Sequence, residues 1–174
     1  EMLSMILDRS DQNAPNQASR FRTHIRDLKR ATLENEGQTE VEQTFTIDSP
    51  IPYPIDDLID RLKDDDTRKG EGKTGPVKGP WEGKLTRFIG RLEAKLDDRR
   101  YGFMFAPPAQ ASKYEWLSNQ AWKLLCSGKT HGIKIVDFSE VPSDVLPVVA
   151  GMLARFLYDV QFWMTPKDRT PVTI

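Results

Sequence analysis

Phe21, Ile25, Leu28, Thr32 and Leu33 recur at the spacing of one helical face, and they predict a helix that restarts over residues 13–16 and runs to about Glu36. Pro15 fits its first turn, and Gly37 stands where a left-handed cap residue belongs. Before it, Met2, Leu3, Met5, Ile6 and Leu7 give residues 1–9 an apolar helical face, and residues 10–14 form a turn. Residues 41–48 alternate imperfectly and predict a short extended segment. The prolines at 50, 52 and 54 exclude a helix interior, and Asp56 opens a short helix to about Leu62. Residues 67–80, rich in Gly, Lys and Pro, predict a flexible loop.

Residues 81–98 predict an amphipathic helix carrying Leu85, Phe88, Ile89, Leu92 and Leu96. The run 101–105 predicts a buried strand ended by Pro107 and Pro108, and 114–127 predicts a helix capped by Gly128. Residues 133–137 (Ile-Lys-Ile-Val-Asp) predict a second buried strand, 143–164 a long helix, 165–171 a turn, and 172–174 the opening of another strand. A crossover that stops as its second strand begins, in a chain whose first residues read as mid-helix, leads us to expect an excerpt of a larger α/β domain. The expected organisation is a mainly helical insertion over 1–98, with its flexible loop at 67–80, joined to a strand–helix–strand part of the core over 99–174.

Composition narrows the function classes. With 25 basic against 26 acidic residues, bulk charge points to neither nucleic acid nor a membrane surface, so any such role needs a local patch. The single cysteine, Cys126, leaves no internal disulfide framework, and no run approaches the ~20 apolar residues of a spanning helix. A cytoplasmic location is the expectation.

Candidate chemistry is sparse. Gly72-Lys73-Thr74 and Gly128-Lys129-Thr130 imitate the end of a phosphate-binding loop, yet the required first glycine is Thr67 in one and Lys123 in the other. Asp137 resembles a Mg²⁺-binding acid at a strand end but is followed by Phe138, so a turn-forming role with Ser139 is the expectation. The aspartates at 56, 57, 60 and 64–66 lack the spacing of a calcium loop, and His24 and His131 lack ligand partners at zinc spacing. The tryptophans at 81, 116, 122 and 163 read as core or interface anchors. The basic face of the long helix (Arg20, Arg22, Arg26, Lys29, Arg30) reads as solvated. What remains is the basic loop, in which Arg68, Lys69, Lys73 and Lys78 are candidates for contact with a DNA phosphate backbone. No catalytic, cofactor-binding or metal-binding residue is assigned.

Residues 2–17, 79–105 and 132–158 resemble the bacterial HerA branch of the FtsK–HerA ATPases. The resemblance implies part of a P-loop, RecA-like α/β core with an N-terminal helical insertion. It further implies a homo-hexameric, ATP-driven double-stranded DNA translocase or helicase that works with a nuclease or an NAD-consuming defence effector. ATP and Mg²⁺ would be held by residues outside this segment, with the strand at 172–174 leading toward the Mg²⁺-binding acid. Such rings use an arginine from a neighbouring subunit, for which Arg99, Arg100 and Arg155 are candidates. The alternative is a non-enzymatic helical interaction module of a larger complex.

Overall fold

A computed structural model of the chain describes residues 3, 6–72, 75–105, 108–125, 133–167 and 169. The chain divides into two compact units, Glu1–Tyr114 and Glu115–Ile174.

The first unit is built on three helices: α1 (Ala14–Asn35), α3 (Ile55–Thr67) and α4 (Thr86–Asp97), with the short α2 (Thr39–Thr44) beside α1. α1 forms where the periodicity predicts it. It ends in a Schellman motif: Gly37 adopts φ 65°, its N–H bonds the Glu34 carbonyl, and the Gln38 N–H bonds that of Leu33. Phe21, Ile25 and Leu28 from α1, Leu58, Ile59 and Leu62 from α3, and Phe88, Ile89 and Leu92 from α4 bury one another, with Ile6 and Leu85 completing the core. Each such side chain, fully buried, contributes about 1.5–3 kcal/mol. Phe21 and Phe88 meet edge to face at 5.5 Å, the arrangement that aromatic quadrupoles favour.

Two segments of this unit depart from expectation. Residues 39–44 are helical where an extended segment is expected; Glu40 and Glu42 in the first turn offset the positive helix terminus. The basic loop contains an antiparallel pair of strands, β1 (Gly70–Gly72) and β2 (Gly75–Val77), with Gly70 opposite Val77.

The expected RecA-like α/β core is overturned. The described residues are mostly helical, and their sheet is this two-stranded antiparallel pair, with no parallel strands. The strand expected at 101–105 is instead a 3₁₀ turn (Arg99–Tyr101) running into a single helical turn, α5 (Gly102–Phe105). Its cause is local: the Asp98 carboxylate accepts the Arg100 N–H at 3.0 Å, which closes the turn and leaves Tyr101 buried beside Lys95.

The second unit contains α6 (Trp116–Leu125) and α7 (Leu146–Trp163). α7 starts three residues later than predicted, because the Pro142 carbonyl first accepts the N–H groups of Val145 and Leu146 in a turn. The strand expected at 133–137 is not formed. Those residues have no regular structure, and Ile133 and Ile135 are 93% and 89% exposed instead of buried. A strand needs a neighbour for its backbone groups, and no described residue supplies one. The strand expected at 172–174 lies outside the described residues, as do Gly128-Lys129-Thr130, Cys126 and His131.

Candidate functional site

α1 places basic residues around its circumference, and the fold gives each a different fate. Arg20 and His24, one turn apart, converge on Asp65 of α3, which is only 5% exposed. Arg20 grips the carboxylate through Nε and through Nη2 (2.9 Å to Oδ1), while His24 Nε2 lies 2.6 Å from Oδ2. Burial pushes the Asp65 carboxyl up, but the hydrogen bonds and charges of Arg20 and His24 more than offset this and hold it below its usual range. Arg20 also lies over the Trp81 ring, 5.6 Å from its centroid. This cluster contains an acid and a base, but both oxygens of Asp65 are engaged and His24 is buried. Its chemistry is the tie between α1 and α3.

Lys29 is buried too, and its ammonium donates to the carbonyls of Ile47 (2.5 Å) and Ser49 (2.6 Å) beside the Tyr53 ring. Burial pulls the Lys29 pKa down against the charge of Asp48, and burial pushes the Tyr53 phenol up to about 12. Arg30 reaches Glu42 and Asp27. The basic face that reads as solvated is therefore largely a set of structural ties.

The aspartate run is likewise structural. Asp66 accepts the Leu85 N–H (2.7 Å) and the Thr86 hydroxyl (2.6 Å), capping the start of α4 from the end of α3. Asp64 pairs with Arg68. Among the described residues no group of three His, Cys, Asp or Glu side chains could hold a metal ion. Asp137, exposed, accepts the Ser139 N–H at 2.8 Å, the turn-forming role expected for it. That bond and the Ser139 hydroxyl keep its pKa low.

Of the four residues proposed for DNA contact, Arg68, Lys69 and Lys78 are exposed at the base of the β1–β2 arm, and Lys73 lies outside the described residues. Arg68 is partly neutralised by its ion pair. Gly79 closes the arm: it is buried, and a Cβ there would collide with the Arg68 carbonyl. Of the three candidate trans-acting arginines, Arg100 pairs with Asp98 at 2.7 Å and Arg155 with Asp159 at 3.6 Å, while Arg99 is exposed.

A groove of about 470 Å³ runs between α3 and α4. Ile59 and Leu96 contribute apolar surface; Asp56, Asp60, Glu93 and Asp97 supply carboxylates, and Lys63 pairs with Glu93 at 2.7 Å. In the second unit the feature that stands out is apolar exposure. Trp163 is 81% exposed, and Tyr158, Phe162, Met152 and Trp122 are all more than half exposed. Tyr158 stacks on Phe162, which meets Trp163 edge to face. Of the two roles expected for the tryptophans, core or interface anchor, the exposure of Trp122 and Trp163 removes the core role for these two. Sequence periodicity marked these residues as apolar, but could not show that the unit leaves them uncovered.

No helix among the described residues is long and apolar enough to cross a membrane. In comparisons with known proteins, no family model matches the chain and no curated protein matches it.

Proposed function

We propose that the chain is a helical interaction segment of a larger machine, and that this machine is an ATP-driven double-stranded DNA translocase of the HerA-like type its sequence resembles. The observation that carries the reading is the exposed apolar surface of the second unit, on α7 and at residues 133–136. A soluble monomer rarely leaves an apolar patch larger than a few hundred Å² uncovered, and larger ones mark interaction surfaces. In this reading the segment contributes docking surface, and neighbouring parts of the machine bind ATP and Mg²⁺. The machine would act as a homo-hexamer in the cytoplasm, on duplex DNA, with a nuclease or NAD-consuming effector. Arg68, Lys69, Lys73 and Lys78 would meet the phosphate backbone.

The test uses the protein from its natural source. Its melting temperature should rise with ATP and Mg²⁺ concentration, as it does for any folded-state ligand. K69A/K73A/K78A should weaken duplex binding and flatten its dependence on salt. An unchanged salt slope removes the DNA assignment of the arm. Melting that ignores nucleotide removes the translocase and leaves the second reading, a non-enzymatic interaction module. The helical fold of the first unit, with its polar clusters spent on structural ties, favours that second reading.

A further inference from the structure

Three features of the molecule are unused by the reading above: the groove between α3 and α4, the exposed side of α1, and the buried Asp65 cluster. The last is closed to any ligand. The first two complement each other. On α1, Arg20, Lys29 and Arg30 have partners, but Arg22 and Arg26 are exposed and form no ion pair with a described residue. They stand four residues apart on an exposed flank of α1, beside the face that carries Phe21, Ile25 and Leu28.

In the groove, the single ammonium of Lys63 is committed to Glu93. Asp56 and Asp97 form no ion pair with a described residue, and Asp60 shares only the charge of Lys63. The carboxylates stand in rows at the same interval, 56 and 60 on α3, 93 and 97 on α4. Four residues of helix rise ~6 Å, so the arginine row and both acid rows share one pitch. A helix carrying the cations on one ridge can lie between two helices carrying the anions, over the apolar floor of Ile59 and Leu96.

We infer that the groove between α3 and α4 receives helix α1 of a second copy of this chain, with Arg22 and Arg26 entering between the carboxylate rows. Donor row and acceptor groove are different surfaces of one unit, so the contact is head to tail and propagates to a closed ring or an open filament. The inference deepens the homo-oligomer of the reading above by naming the surfaces that meet, and it does not depend on the docking role of the second unit. The two also respond oppositely to salt: an ion-pair contact weakens with ionic strength, whereas apolar association does not.

Sedimentation velocity on the full chain, at about 20 mM and about 500 mM salt, reads the difference. The expected result is self-association that is strong at low salt and weakened at high salt. R22E/R26E and D60R/D97R should each raise its dissociation constant about tenfold or more, and the chain carrying all four reversals should recover it. Circular dichroism confirms that each variant keeps its helices. A monomer at all concentrations, association indifferent to either reversal, or failure of the fourfold variant to recover would each overturn the inference. So would an R22E/R26E variant that loses duplex-DNA binding while its self-association is intact, since the row would then be a nucleic-acid contact.

Discussion

Asp65 is the residue on which most of the buried charge depends. It is held by Arg20 and His24, and removing the carboxylate charge leaves the Arg20 guanidinium and the buried His24 ring without their acceptor. Asp65→Asn should therefore cost about 3 kcal/mol in urea unfolding at neutral pH. The pH dependence follows from the direction of its shift. The folded-state pKa is lowered, so its stabilising contribution is complete above the unfolded value near 3.9 and is lost as pH falls through the lower folded value. Wild-type stability should thus fall as pH drops below about 4, and the Asn variant should lose that part of the slope. Identical slopes would show that Asp65 is not the group responsible. None of this partnership was legible in the sequence, where Asp64, Asp65 and Asp66 read as one charge run. Asp64 pairs with Arg68 one turn on, whereas the roles of Asp65 and Asp66 come from partners 19 to 45 residues away in the chain.

Among the elements, α1, α3 and α4 were legible because each buries an apolar stripe of helical period, and that pattern survives in one dimension; α7 was legible from its long apolar run, although only Leu157 of it is buried. Their ends were less so: α3 runs five residues past the expected stop, through the aspartates that cap α4 and bind α1. The runs at 101–105 and 133–137 are too short for their pattern to decide their structure. A short apolar run carries no period long enough to separate strand from helix, and nothing in it says whether a partner strand exists. The β1–β2 arm was also missed, since glycine-rich sequence reads as loop. Its base depends on Gly79, where any side chain must displace the Arg68 backbone. Gly79→Ala should cost roughly 1–3 kcal/mol by overpacking, visible as a lowered melting temperature. A neutral substitution would mean that the base of the arm yields without strain.

At the scale of the whole molecule the two units differ in kind. The first covers its apolar side chains; the second displays them. Phe162→Ser with Trp163→Ser should change stability by only about 0.5 kcal/mol, as surface substitutions do, while sharply lowering the binding of an apolar fluorescent dye. A loss of several kcal/mol would show instead that these rings pack within the fold. The first unit has a further consequence through Asp66, which belongs to α3 yet caps α4. That bond, with Gly79 seated against Arg68, fastens both ends of the arm to the core at one point. The connection then behaves as a stem whose reach is decoupled from its root. Doubling the length of a flexible loop costs only about 0.6 kcal/mol in closure entropy. The arm's length is therefore a dimension in which this chain can vary, or carry a grafted peptide, while the helices beneath keep their register.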